Sequence, residues 1–207
     1  MLTRISQSEK VLNMRLFLVV LFLIFNLQSW TKADDIKDFE IEGISIGDSL
    51  LNFYSQDQIE KFFLVEYPSS KRFIGWETDE SITFGEYTTM TFHVKKEDTA
   101  MKIYSIKGML DYPKKIKDCL KKKKQIVNQV KENIDYKDFY SYEGDFGKKF
   151  GKSIAYITDF DLSGGSIRVW CSVWDKGHEG SKNWIDTLNV SVGSQPFYDF
   201  LNNEAYK

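Results

Sequence analysis

A chain of 207 residues with 42% hydrophobic and 28% charged residues, 13 glycines and only 3 prolines has a globular composition, which excludes collagen-like, low-complexity and disordered classes. Its 28 basic and 30 acidic residues leave a formal net charge of −2, which disfavours a nucleic-acid partner because such partners call for a basic excess. The 15% aromatic content points to a sheet-rich core.

Arg4, Lys10 and Arg15 precede the apolar run Leu16 to Leu27, and Thr31-Lys32-Ala33 follows at the spacing that signal peptidase reads. Residues 1–33 therefore read as a secretory signal peptide. About a dozen apolar residues are short of the roughly 20 that a spanning helix needs, which favours cleavage over retention as an anchor. Met14-Arg15 would itself open a compact signal, so translation starts at Met1 or at Met14. No cysteine follows the apolar run, which speaks against a lipid anchor. Residues 34–207 then form a single α+β domain with 24 basic and 29 acidic residues, a net charge of −5. The expected location is periplasmic or secreted, with no transmembrane span after cleavage.

From Asp38 the chain reads DFEIEGISIGDSLLNFYSQDQIEKFF. Ile44 and Ile46 alternate with polar residues as a short strand, Gly47 ends it, and Asp48 is placed to cap a helical turn carrying Leu50, Leu51, Phe53 and Tyr54. Ser55 with Gln58 three residues later has capping-box spacing and predicts a helix over Gln56 to Phe62. The segment Ile41 to Leu50, I-E-G-I-S-I-G-D-S-L, resembles the opening of small uncharacterised exported proteins of bacteria. More distantly, its strand, glycine turn and helix are similar to small outer-membrane lipoproteins of the SmpA/OmlA type. The resemblance implies an envelope location, and the absent lipid-anchor cysteine departs from the lipoprotein pattern.

Lys71 to Trp76 reads as an edge strand. Phe84, Met90, Phe92 and Val94 share one parity, Lys95-Lys96-Glu97-Asp98 supplies a polar turn, and Met101 to Leu110 returns with Ile103, Tyr104 and Ile106 as a hairpin. Asp111 to Ile134 then reads as one long amphipathic helix, capped by Asp111 with Pro113 in its first turn. Ile116, Leu120, Val127, Val130 and Ile134 form its apolar stripe. Asp135 to Lys152, rich in aromatic residues, glycine and charge without a clear period, reads as a surface loop. Ser153 to Phe160 and Ser166 to Trp174 form a second hairpin around Asp161 to Gly165. In the returning strand Ile167, Val169, Cys171 and Val173 share one face, with Arg168, Trp170, Ser172 and Trp174 on the other. Leu188, Val190 and Val192 mark a last strand, and Ser194 caps a terminal helix with Pro196, Phe197, Phe200 and Leu201. The architecture expected is an antiparallel sheet of two hairpins plus additional strands, packed on the long helix and short terminal helices.

Cys119 and Cys171 are the two cysteines, and in an exported chain a distant pair reads as a structural disulfide, the alternative being one free thiol and one buried inert thiol. No C-x-x-C occurs, so redox catalysis is not indicated. Asp159-Phe160-Asp161-Leu162-Ser163-Gly164 matches the first half of a calcium loop, but Trp170 stands where the bidentate acid belongs, and a hairpin turn explains the same letters. The histidines, His93 and His178, have no metal-ligand spacing, and G-x-S-x-G is absent. No metal or cofactor is implied. His178 with Asp175 and Asp186 is the one acid–base grouping, for which a solvated loop histidine is the simpler reading.

Lys114, Lys115, Lys117, Lys121, Lys122, Lys123, Lys124 and Lys131 crowd the long helix. They read as a solvated outer face, or, through Lys114, Lys117, Lys121, Lys122, Lys123 and Lys124, as a contact for an anionic lipid or polysaccharide. Trp170, Trp174 and Trp184 with Tyr156 either line a ligand groove or lie under the terminal helix. Two functions follow from these residues. The leading one is a non-catalytic envelope binding or interaction module for an envelope protein or an anionic ligand. The second is a small exported hydrolase using carboxylates or His178.

Overall fold

The computed structural model describes residues 35–78, 81–82, 85–177 and 184–207. The expected signal peptide, Phe84 and His178 lie outside them. Residues Ala33–Lys207 form one compact unit.

Asp35 caps a 3-10 turn at Ile36–Asp38. β1 (Glu40–Ile41) and β2 (Ile44–Ser45) make a minimal hairpin whose turn residues Glu42 and Gly43 both have positive φ, 53° and 76°, the twist that suits two-residue hairpins. The turn at Leu50–Asn52 is 3-10 and is capped by Ser49. Asp48 is not its cap, because its carboxylate accepts the Ser45 N–H at 2.9 Å. α1 (Gln56–Ile59) has the capping box that its letters predict: Ser55 Oγ accepts the Gln58 N–H and Gln58 Oε1 accepts the Ser55 N–H. Replacing Ser55 with alanine removes one half of that exchange and should cost about 1 kcal/mol in urea unfolding. An unchanged midpoint would show that the box is idle.

α1 ends earlier than Phe62 because the chain turns into β3 (Phe63–Val65). β4 (Phe73–Glu77) pairs with β3 on one side and β5 (Thr89–Lys95) on the other, so the expected edge strand is an interior one. β6 (Ile103–Asp111) follows. α2 spans Ile116–Asn133 with Lys115 as an N-cap that makes no side-chain bond. Asp111 does not cap it. Residue 111 instead continues the ladder of β6 opposite Thr187, and its N–H donates to Thr88 Oγ1 at 3.2 Å, so sheet pairing outweighs the local cap.

β7 (Asp138–Asp145) replaces the expected surface loop. It was illegible because its side chains are almost all exposed, which removes any apolar period. β8 (Ile154–Leu162) and β9 (Gly165–Val173) meet through Ser163-Gly164 alone, tighter than the expected five-residue loop, with Gly164 at φ 90°. β10 (Thr187–Ser194) runs directly into α3 (Gln195–Asn203).

The fold is α+β, with one antiparallel sheet of eight strands in the order β3-β4-β5-β6-β10-β9-β8-β7 beside the small β1-β2 sheet. One sheet face carries Phe92, Ile106, Val190, Val169 and Phe160, buried in a cluster with Cys119, Val127 and Val130 of α2 and with Ile44, Leu50 and Ile59. The Cys119–Cys171 disulfide ties α2 to β9, with the Cα atoms 6.2 Å apart. Under α3, on the other face, Phe73, Tyr67, Phe197 and Phe200 form a second cluster.

Candidate functional site

Because side chains alternate along each strand, the registers that bury the apolar set also align a polar set on the opposite face. Across seven strands Glu77 faces Thr91, Thr91 faces Lys107, Lys107 faces Ser191, Ser191 faces Arg168, Arg168 faces Asp159 and Asp159 faces Tyr140. This row is an unbroken line of hydrogen-bonding groups with an ion pair toward each end. Glu77 Oε2 accepts the Thr91 hydroxyl at 2.7 Å and lies 3.6 Å from Lys107 Nζ.

At the other end Arg168 grips Asp159 with two donors, Nε at 2.6 Å and Nη2 at 2.9 Å. Such a fork is the strong form of carboxylate pairing. The hydrogen bonds to Asp159 hold the guanidinium above its ordinary pKa. Tyr142 adds its hydroxyl to Asp159 Oδ2 at 3.1 Å, and Tyr140 donates to Asp161 at 3.3 Å. The two tyrosine rings stack 6.4 Å apart. Tyr198 of α3 closes one side. Its ring lies over Gly193, where a Cβ would come within 2.9 Å of it, and burial pushes its phenol up against the opposing pull of its bond to Ser166. A depression of about 460 Å³ results, lined by Lys137, Tyr140, Asp161, Arg168, Tyr198 and Asn202 among others.

Asp159 is held by three hydrogen bonds, one to Oδ1 and two to Oδ2. His93 lies one row away, boxed by Phe197 at 4.5 Å and Tyr67 at 6.0 Å between ring centroids. Burial, with Lys107 adding to it, pushes its pKa down to about 3, so the imidazole is neutral and shielded. Asp175 and Asp186 are held by main-chain donors: Lys152 and Gly177 N–H for the first, Trp174 N–H for the second. His178, their expected partner, lies outside the described residues.

The calcium-like letters are strand and turn. Asp159 and Asp161 lie within β8, and Ser163-Gly164 is its hairpin turn. Among the described residues no group of three or more His, Cys, Asp and Glu is placed to hold a metal.

The lysines divide. Lys114, in the turn before α2, and Lys117, Lys121 and Lys124 on it are exposed. Lys122 instead pairs with Glu86 at 2.8 Å. Lys123 bends back to Thr158 Oγ1 at 2.6 Å, and burial lowers its amine's pKa. The tryptophan groove does not assemble with Tyr156, which packs on the α2 core opposite the face that carries Trp170. Trp174 stacks instead on Phe146 and Trp184, at 4.6 and 4.4 Å.

Tyr140, Tyr142, Arg168 and Tyr198 carry no motif. The Asp159–Arg168 pair was within reach of the sequence had the turn been placed at Ser163-Gly164, because a two-residue turn sets 159 opposite 168. Among the described residues no helix is long and apolar enough to cross a membrane. No protein-family model, curated protein or solved structure matches this chain.

Proposed function

We propose that the protein is an exported, non-catalytic binding module of the cell envelope, taking a polar or anionic ligand in the depression beside β7, β8 and α3. The observation that carries this reading is the fixing of Asp159 by three hydrogen bonds from Arg168 and Tyr142 next to exposed tyrosine rings. A binding site needs groups already held in place, and the Arg168 fork holds Asp159 in one geometry. Arg168 uses Nε and Nη2 on Asp159, which leaves Nη1 as a donor to a ligand's hydroxyl or carboxylate oxygens. Tyr140, 45% exposed, offers a flat apolar surface at the rim. The disulfide fits an oxidising compartment. In this reading the long amphipathic helix serves as the cover of the apolar sheet face. Its exposed lysines give a secondary contact for anionic surfaces, screened beyond a Debye length of about 8 Å at physiological salt.

The test uses the exported protein on immobilised envelope polysaccharide and envelope protein fractions, alongside ester, amide and glycoside substrates. Saturable retention should fall about tenfold in Tyr140→Ala, with no turnover of any substrate. Turnover that drops by about 10²–10⁴ in Asp159→Asn would defeat the reading in favour of a hydrolase.

A further inference from the structure

The eight-stranded sheet ends unequally. At one side β3 has only three residues, while at the other β7 pairs with β8 over the full length Asp138–Asp145 with no register break and, among the described residues, has no neighbour beyond it. A long open edge is a template for another strand, and folded proteins blunt such edges with proline, lysine or a bulge. β7 has no proline, lysine or bulge, and its acids, Asp138, Glu143 and Asp145, leave the central stretch Phe139 to Tyr142 uncharged. It displays Phe139, Tyr140 and Tyr142, each 37–45% exposed. One main-chain donor, the Phe139 N–H, is taken locally by Asp138 Oδ1 at 2.8 Å.

We propose that β7 is a self-complementary docking edge, pairing antiparallel with β7 of a second copy about a two-fold axis through Ser141. An axis perpendicular to the sheet keeps equivalent faces on the same side, and alternation then requires that some residue face its own copy. With Ser141 at that point, Lys137 stands opposite Asp145 at both ends of the ladder, and Tyr140 opposite Tyr142. Glu143 meets Phe139 and Asp138 meets Gly144, so no acid faces an acid. The neighbouring registers are worse. With Tyr140 on the axis, Lys137 meets Glu143 but Asp145 meets Asp135, and with Tyr142 on the axis, Lys137 meets Gly147 and its ion pair is lost. Charge complementarity therefore selects one register, and the contact closes on itself as an isologous dimer instead of propagating. The two sheets become continuous, and each copy's Tyr142 lies beside the Tyr140 at the rim of the other copy's depression.

The exported protein should sediment as a dimer in an equilibrium that reaches monomer at low concentration. Lys137→Glu turns both end pairs repulsive and should weaken association about tenfold or more. Adding Asp145→Lys to it restores the opposite pairing and should restore the dimer. Tyr142→Lys places a charge on the exposed edge and should also give monomer, which keeps the test alive if the first variant misfolds. Far-UV circular dichroism of each variant shows whether the fold is intact. A wild-type monomer at every concentration, a dimer indifferent to Lys137→Glu, or a double variant that stays monomeric would overturn the proposal.

Discussion

The double variant Cys119→Ala/Cys171→Ala should be about 4 kcal/mol less stable than the oxidised protein, from the loop-closure entropy that a link across a sequence separation of 52 removes from the unfolded chain. Native packing decides how much of this is seen. Both cysteines are fully buried, so the alanines also leave small voids that add to the loss. A domain of ordinary stability has about 5–15 kcal/mol in total, so the variant should unfold at a much lower denaturant concentration. Guanidinium unfolding of the oxidised protein, the reduced protein and the variant, followed by tryptophan fluorescence, measures the difference. A loss below about 1 kcal/mol would mean that the link constrains nothing that the packing of α2 on β9 does not already hold.

The second large effect is on pH dependence. His93 is 9% exposed, and its pKa falls from 6.5 to about 3, chiefly by burial and then by the charge of Lys107. The unfolded chain therefore takes up a proton at this residue that the folded chain refuses, so stability is fully present above pH 6.5 and declines as the pH falls toward about 3. The slope in that window is about 1.4 kcal/mol per pH unit. Between pH 7.5 and pH 4.5 the loss should approach roughly 3 kcal/mol.

The neighbours of His93 offer no relief. Tyr67 and Phe197 flank the ring, and Gly75 approaches so closely that a Cβ there would come within 3.0 Å of Nε2. Nδ1 has no hydrogen-bond partner. Glu77, in the neighbouring row, is engaged with Thr91 and Lys107. His93→Leu should accordingly flatten the stability profile between pH 6.5 and pH 5, a range above the ordinary titration of carboxylates. Denaturant midpoints of the two proteins measured at half-unit steps would decide it, and parallel curves would show that His93 is not the group responsible.

What the sequence determined alone is what is settled within a few residues or by composition. The Ser55–Gln58 box closes over three residues, so its letters specify its geometry whatever the rest of the chain does. The alternation of Ile167, Val169 and Cys171 shows which face is buried, and the two cysteines, on the expectation of export, predict their own pairing. Only the tertiary structure decided the rest. Asp111 had to choose between capping α2 and pairing with Thr187, and the ladder partner lies 76 positions away. β7 gains its strand geometry wholly from β8, since an edge exposed on both faces needs no apolar period. The site follows the same rule. Asp159 and Arg168 meet only once the turn sets the hairpin register, and Tyr198 meets Gly193 only once α3 folds back over β10. Hydrogen bonds between distant strands satisfy main-chain groups that a local motif would satisfy less completely, so register, not residue type, places the polar face.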